Sequence, residues 1–177
     1  MIRIGSQLIF CSPERILRRS VIEMGELNTI TDIYSLDDGN VETAQTLFFD
    51  GILSAGIVSF IQSRTVKLRD NRLNDYQYCD FSKTLPSTEI LRTGKSLILD
   101  FGTNSTDKIN TLLPCLSEVL KAFSIFEIIA ACTYHPSLLI DQPAGLKENS
   151  AAGLLLWEQV DLTDKKLLTG TQIREFK

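Results

Sequence analysis

The chain contains very little histidine. His135 is the single histidine among 177 residues. A catalytic zinc site needs three protein ligands drawn from His, Asp, Glu or Cys, so His135 cannot build one alone. It precedes Pro136 near the end of a predicted helix, where a histidine commonly interacts with the helix C-terminus. We therefore predict no metal and no other cofactor, and His135 stays a candidate site residue only because of its residue type.

Long apolar runs and closely paired cysteines are also absent. The sequence contains no run of about 18 apolar residues, the length that a membrane-spanning helix needs. The polar residues 5–7 interrupt the charged, apolar and small-residue order that is typical of a signal peptide. The four cysteines are too far apart for a zinc site with CxxC pairs and too few for a disulfide framework. We expect a cytoplasmic protein without a membrane partner, whose cysteines are reduced and mostly buried.

The sequence lacks a broad positive charge. It has 22 acidic and 18 basic residues, with a pI near 5.1. Arg15, Arg18 and Arg19 form only a short basic cluster. Because binding to phosphate backbones depends on a wide basic surface, nucleic acid is not an expected partner.

Several common catalytic motifs are missing. The sequence has no G-x-S-x-G, Walker or G-x-G-x-x-G motif, so a nucleophile elbow, phosphate cradling and dinucleotide binding lack support. Cys132 and His135 are three residues apart on a predicted helix, so their side chains could meet. No third group orients such a pair, and core packing is the simpler role for Cys132.

The apolar pattern predicts strands at both ends of the chain and helices between them. The first fifty residues read as short strands joined by turns: residues 2–4, 8–10, 16–24 and 27–36, with the polar residues 5–7 between the first two. Residues 64–95 are polar and irregular. Helices are predicted from residue 105 or 106 and from Ser124 to about Tyr134. Further strands are predicted at residues 46–50, 57–61, 97–99, 154–157 and 171–176.

Residues 48–63 resemble a known family junction. They read FFDGILSAGIVSFIQS, which resembles the entrance to the barrel of the amidohydrolase superfamily: an acidic residue, a glycine, a short apolar step and then Pro-Gly-Phe-Val/Ile-Asn-x-His-x-His. Ala55 stands at the proline, and Ile61 and Ser63 stand at the two metal-binding histidines. The resemblance implies that the first part of the family's metal site has been lost.

Three more stretches resemble that superfamily in the same order. Gly102–Ser105 is similar to the loop after the eighth barrel strand, with Asn104 at the aspartate that ligates metal and handles the proton of the attacking water. Residues 131–139 resemble the helical motif Ala-Thr-x-Asn-Pro-Ala-x-x-Leu, with His135 at the asparagine. Residues 145–154 resemble the closing Gly-x-x-x-x-Gly-x-x-Ala-Asp-Leu pattern.

The resemblance implies a mixed α/β (α+β) fold. Residues 1–56 and 141–177 would form a composite β-sandwich, and residues 57–140, with the irregular segment 64–95, would form a truncated α/β lobe. A complete (β/α)8 barrel needs about 250 residues, so most of the barrel would be absent. The first and last strands of a complete barrel are neighbours, so residues 57–61 and 97–101, which correspond to them, would still pair in parallel. The opened edges favour a homodimer or larger assembly.

The leading functional interpretation is a non-catalytic binding or assembly module with an unknown small-molecule ligand or partner. The alternative is a metal-dependent hydrolase or deaminase acting on C–N bonds, completed by a partner chain. A relic without a selected role is a third interpretation. Asp100, at the end of an apolar strand, is the remaining carboxylate candidate, although it could equally accept hydrogen bonds from the following loop. Tyr76 to Tyr78 either recognise a ligand or cover the opened barrel.

Overall fold

Eight strands and three α-helices form the framework of the residues that the structure describes. The computed structural model describes residues 1–38, 45–59, 75–81, 95–140, 142–150 and 153–176. The strands in these ranges are β1 (Ile2–Ser12), β2 (Arg15–Met24), β3 (Ile30–Ser35), β4 (Thr46–Ala55), β5 (Tyr76–Asp80), β6 (Ser96–Asp100), β7 (Leu154–Glu158) and β8 (Gln172–Phe176). The helices are α1 (Thr106–Val119), α2 (Ile125–Ile129) and α3 (His135–Leu139). The predicted mixed α+β class is confirmed.

Strands from both ends of the chain are hydrogen-bonded in one six-stranded sheet, in the order β3-β2-β1-β4-β7-β8. β1 pairs antiparallel with β2 and parallel with β4. β4 in turn pairs antiparallel with β7, and β7 with β8. The parallel β1–β4 pair therefore lies at the centre and joins the N-terminal strands to the C-terminal hairpin.

β1 is longer than the sequence indicated. The polar stretch at residues 5–7 predicted a break, yet the strand runs for 11 residues. Ser6 is fully buried, and its hydroxyl donates a 2.7 Å hydrogen bond to the carbonyl of Gly51. Gly5 leaves room for the ring of Phe48, since a Cβ there would lie 2.6 Å from Cδ2 of that ring. Both residues fit the strand because β4 packs directly beside them.

β4 also continues through a predicted break. Gly51 was expected to split it, but the strand passes through Gly51 and ends at Ala55. The φ angle of Gly51 is +150°, and a Cβ there would lie 2.3 Å from the carbonyl oxygen of Trp157. The glycine therefore permits a close backbone approach to β7 instead of ending the strand. Conversely, the strand predicted to begin at Leu27 begins only at Ile30.

β5 and β6 form a separate two-stranded parallel sheet. β5 lies inside the segment 64–95, so the prediction that this whole segment is irregular was wrong. Its alternation of large and polar residues was too short to stand out from the polar sequence around it. The parallel pairing of residues 57–61 with β6 is not seen at residues 57–59, which form no strand. There the N–H of Val58 donates to the carbonyl of Cys132 instead.

The second helical segment starts as predicted and ends later than predicted. Ser124 caps α2 with a full capping box, in which the Ser124 hydroxyl and the Glu127 carboxylate satisfy each other's backbone N–H groups. The helix then continues through a π-helical turn, Ala130–Tyr134, directly into α3. Pro136 lies in the first turn of α3, directly after this π-helical turn. The expected end near Tyr134 is therefore an internal junction.

Two clusters of buried side chains hold the elements together. One contains residues of the terminal sheet, such as Phe10 and Trp157, together with Leu99 of β6 and Ile128 of α2. The other contains residues of the N-terminal strands and β7. The helices and the small sheet thus share an apolar core with the terminal sheet. No helix in the described ranges is both long and apolar enough to span a membrane.

Candidate functional site

The buried carboxylate of Asp100 is the centre of a polar cluster. Asp100 ends β6 and is completely buried. Its Oδ1 accepts hydrogen bonds from the hydroxyl of Ser59, at 3.0 Å, and from the N–H of Gly102, at 2.9 Å. Its Oδ2 accepts a 2.8 Å bond from the phenol of Tyr78. At least three donors therefore satisfy this carboxylate, as a buried charge requires.

The small parallel sheet brings two of these groups together. Tyr78 in β5 lies opposite Ile98 in β6. Because residues two apart in a strand face the same side, Asp100 is on the same face as Ile98, diagonal to Tyr78. The N–H of Phe81 then donates to the backbone carbonyl of Asp100 and extends the pairing beyond β5.

The loop after β6 supplies the third donor. Gly102 has a φ of +66°, which glycine adopts without a steric penalty. Its N–H points back to the Asp100 carboxylate two residues earlier, an arrangement typical of an Asx turn. The apolar run at residues 97–99 thus ends in a turn that its own aspartate stabilises.

Tyr78 remains a hydrogen-bond donor over a wide pH range. Burial raises the pKa of its phenol above the ordinary value of 10.0, and the hydrogen bond to Asp100 raises that pKa further. The phenol is therefore neutral near pH 7, and the carboxylate accepts its hydrogen. In this arrangement Asp100 orders the backbone around it, and most of its acceptor positions are already occupied.

Asn104 makes none of the hydrogen bonds described for Asp100. Its side chain is exposed, and it borders a cavity of about 300 Å³ that is also lined by Gly56, Gln142, Gly145 and Glu175. Its amide can donate and accept hydrogen bonds but cannot take a proton from water at neutral pH. Asn104, which stands where the resembling family has a metal-binding aspartate, therefore lies at the edge of a polar cavity.

One glycine shapes the wall of this cavity. Gly145 has a φ of +74°, and a Cβ there would lie 1.8 Å from the carbonyl oxygen of Cys11. The next residue, Leu146, donates its N–H to that same carbonyl. The connection from α3 to β7 is therefore held against β1 at a point where only glycine fits.

His135 is half-buried at the start of α3. Its Nδ1 lies 2.8 Å from the carbonyl oxygen of Leu97, so Nδ1 carries the hydrogen, because a carbonyl only accepts. The imidazole also packs against the rings of Tyr76 and Tyr134, with centroids 5.3 and 6.1 Å away. These contacts tie the helix to the small sheet.

Cys132 is completely buried in the π-helical turn, and burial raises the pKa of its thiol. A raised pKa keeps the thiol protonated and weakly nucleophilic. No hydrogen bond joins Cys132 to His135 among the contacts of the described residues. The two residues share a helical segment but do not form a thiol–imidazole pair there.

The other predicted site positions, Ile61 and Ser63, lie outside the described residues. Within the ranges that the structure describes, no group of three His, Cys, Asp or Glu side chains is placed to hold a metal ion.

Sequence reasoning identified the following loop as a source of hydrogen bonds to Asp100, which the N–H of Gly102 confirms, but not the two side chains that also donate to it. Ser59 was not singled out, and Tyr78 was considered only as an aromatic residue in a loop. The two contacts span 41 and 22 residues along the chain, so no local spacing could indicate them. The one available signal was the Tyr-x-Tyr alternation at residues 76–78, which is typical of a strand.

Comparisons with known proteins give weak structural likenesses. No family model and no curated protein matches the chain. Its structure is similar to that of N-acetyl-D-glucosamine-6-phosphate deacetylase from Mycobacterium smegmatis, with a TM-score of 0.28 and 10% sequence identity. The likeness covers 81% of this chain and 38% of the deacetylase chain. The chain therefore spans less than two fifths of that structure, which belongs to the amidohydrolase superfamily.

A mutant of the same enzyme in complex with N-acetyl-D-glucosamine-6-phosphate is a second structural neighbour. Its TM-score is 0.26 and its identity is 11%, with 80% of this chain and 37% of that chain covered.

Proposed function

We propose that this chain is a non-catalytic binding or assembly module built on an amidohydrolase-like framework. The observation that carries the proposal is the state of Asp100. This carboxylate ends a strand at the position where a barrel enzyme would place a catalytic group, and at least three donors from its own chain already engage it. Such a carboxylate stabilises the fold, and it would have to give up those bonds before it could hold a metal or move a proton.

The neighbouring position supports the same proposal. Asn104 is exposed and uncharged where the resembling family has its aspartate. An amide oxygen binds a dication more weakly than a carboxylate and does not act as a general base. With Ile61 and Ser63 at the histidine positions, the chain would have to recruit other ligands to carry out metal-assisted hydrolysis.

The cavity beside Asn104 is the ligand site of this proposal. Its volume of about 300 Å³ falls at the small end of the size range of ligand sites, roughly 300–1,000 Å³. Asn104 and Gln142 offer amide donors and acceptors, and Glu175 offers a carboxylate. These groups suit a small polar ligand.

Assembly is the second part of the proposal. β3 and β8 are the outer strands of the six-stranded sheet within the described ranges. An outer strand can pair with another chain through its free backbone groups. We therefore propose a homodimer or larger assembly, which light scattering at about 50 μM would detect as at least twice the monomer mass of 19.8 kDa.

Elemental analysis of purified, chelator-free protein for zinc, nickel, iron and manganese tests the non-catalytic proposal. We expect far less than one metal ion per chain, and equally little in an Asp100→Asn variant. About one ion per chain that is lost in Asp100→Asn would overturn the proposal. That result would instead support the alternative, a hydrolase or deaminase acting on C–N bonds and completed by a partner chain.

A further inference from the structure

A second, larger cavity lies on the side of the molecule where the β1–β2 hairpin meets α2 and the turn before β8. Its volume is about 590 Å³, well inside the range of small-molecule sites, roughly 300–1,000 Å³. It shares no lining residue with the cavity beside Asn104. We call it the basic groove.

The floor of the basic groove is apolar. Leu8, Ile16, Phe126 and Leu162 line it, and all four are partly buried and packed against the main core. Phe126 also stacks on the buried ring of Phe10, with centroids 6.3 Å apart. The floor is therefore supported from below and offers a preformed apolar surface.

The rim of the basic groove is cationic. Arg18, Arg19 and Lys165 line it with a single carboxylate, Asp37, so its charged side chains sum to two positive charges. Asp37 lies 3.1 Å from Arg19. Arg18 and Lys165 have no ion-pair partner in the described part of the chain. This concentration of positive charge stands out on a chain whose net charge is −4.

The backbone places two adjacent arginines on the same groove. In a regular strand, neighbouring side chains face opposite sides of the sheet. Arg19 has a φ of +42° inside β2, in the left-handed region that a regular strand does not use. This irregularity lets Arg18 and Arg19 both line the groove. A strained conformation of a non-glycine residue commonly accompanies a functional site.

The third cation is also fixed by its backbone. Lys165 has a φ of +55°, and its carbonyl accepts a 2.7 Å hydrogen bond from the N–H of Ile125 at the start of α2. The turn that carries it is ordered, because the carboxylate of Asp161 accepts hydrogen bonds from the N–H groups of Thr163 and Asp164. The base of this side chain is therefore held beside the groove.

We infer that the basic groove binds a small organic anion, whose apolar body lies on the floor while its carboxylate or phosphate group contacts Arg18 and Lys165. The apolar floor suits the apolar body of such a ligand, and the cationic rim suits its charged group. A floor without cations would not select a charge, and exposed cations without the floor would not hold an apolar body. The inference rests on the proposed binding role and adds to the cavity beside Asn104 a second site with its own ligand class.

Ligand-observed NMR with octanoate at low ionic strength tests the inference. Octanamide keeps the apolar body without the charge, and acetate keeps the charge without the body. We expect octanoate to bind at least about tenfold more tightly than either. Octyl phosphate, measured in parallel, shows which of the two head groups the site prefers. Equal binding of octanoate and octanamide would overturn the inference, as would no binding of either octyl anion.

Substitutions locate the site. Arg18→Gln and Lys165→Gln should each weaken octanoate binding by about fivefold or more, because each removes one charge-assisted contact. Lys108→Gln is the matched control, since Lys108 is an exposed lysine on α1 away from the groove, and it should change nothing. All three side chains are exposed, so the fold should be retained, as circular dichroism would verify. Unchanged binding in the Arg18→Gln/Lys165→Gln double variant would assign the octanoate to another apolar surface and overturn the inference.

The metal analysis described above remains independent of this titration. One metal ion per chain that is lost in Asp100→Asn, with groove binding intact, would reject the non-catalytic role alone. Absence of metal together with absence of groove binding would reject the ligand class alone.

Discussion

The phenol of Tyr78 donates a 2.8 Å hydrogen bond to Oδ2 of Asp100 across the parallel pair β5 and β6. This contact joins two residues that are 22 positions apart along the chain. Through it, one strand of the small parallel sheet supplies a donor to the buried carboxylate of the other strand. A buried aspartate that is satisfied in this way should contribute to stability, and this can be measured.

Asp100→Ala should destabilise the protein by about 3 kcal/mol, because it leaves the buried hydroxyl of Ser59 and the part-buried donors of Tyr78 and Gly102 without an acceptor, at up to roughly 1–3 kcal/mol each. Tyr78→Phe and Ser59→Ala remove one donor apiece and should cost less. Urea denaturation followed by circular dichroism measures the free energy of unfolding. Asp164→Ala, in an exposed turn, is the control and should stay within about 0.5 kcal/mol of the original chain. Equal effects of Asp100→Ala and Asp164→Ala would show that the carboxylate is not structural.

The raised pKa of Tyr78 predicts a loss of stability at alkaline pH. The folded protein keeps this phenol protonated above its ordinary value of 10.0, so the unfolded chain binds fewer protons there and the free energy of unfolding falls as pH rises. The contribution is complete below about pH 10 and is lost as pH rises toward the folded-state pKa.

Urea titrations at about pH 8, 9.5 and 10.5 would detect this dependence, and Tyr78→Phe should lose less stability over that interval. The pKa of Tyr34 is raised as well, so it contributes to the loss in both proteins. The difference between the two curves is therefore the informative quantity. Parallel curves would mean that Tyr78 does not titrate differently on folding.

The sequence predicted the elements whose apolar pattern is local. The run at residues 97–99 became β6, and the capping box at Ser124 marks the start of α2. The prediction that strands from both ends surround helices also holds for the described residues, because hydrophobic periodicity and caps depend on neighbours a few positions away.

Long-range contacts account for what the sequence did not indicate. Gly51 reads as a strand breaker, but it serves a close approach to Trp157, which lies over 100 residues later. The same holds for β5, whose Tyr78 is ordered by Asp100. For the candidate site, the sequence singled out Asp100, its hydrogen bonding to the following loop, and Asn104, but the side-chain partners Ser59 and Tyr78 follow from the fold alone.

Gly145 should tolerate no side chain. Gly145→Ala would place a Cβ 1.8 Å from the carbonyl oxygen of Cys11 and force alanine to a φ of +74°, so we expect a loss of at least about 2 kcal/mol. Gly153→Ala is the matched control, because the nearest atom to its added Cβ, Cα of Gly56, would be 3.8 Å away. Thermal unfolding should separate the two variants by several degrees. A Gly145→Ala protein as stable as Gly153→Ala would contradict the close packing of this connection on β1.

Only one of the four thiols should react quickly in the folded protein. Cys115 is exposed on α1, whereas Cys11, Cys79 and Cys132 are buried, and none of the four forms a disulfide. Burial raises the pKa of each of the three buried thiols, which lowers their thiolate content further. An aromatic disulfide reagent should therefore label one thiol rapidly without denaturant and four with it. Cys115→Ser should remove the rapid phase, and a rapid phase that persists would mean that a buried cysteine is accessible.

The single tryptophan reports on the centre of the sheet. Trp157 is completely buried, and its indole N–H donates a 2.9 Å hydrogen bond to the hydroxyl of Ser54 on the neighbouring strand β4. Ser54→Ala removes this acceptor and leaves a buried donor unsatisfied, which should cost about 1–3 kcal/mol. Ser54→Thr keeps a hydroxyl and is the conservative control.

Fluorescence emission gives this prediction a second, independent measurement. The indole of Ser54→Ala lies in a less polar environment, so its emission should move to shorter wavelength while the folded state is retained. The Ser54→Ala/Trp157→Phe double variant lacks both the donor and the acceptor. Its loss of stability should therefore be smaller than the sum of the two single losses, because the unsatisfied N–H is gone. Strict additivity would show that the hydroxyl and the indole do not interact, and the role of Ser54 would then have to be sought in its other hydrogen bond, to the carbonyl of Ala55.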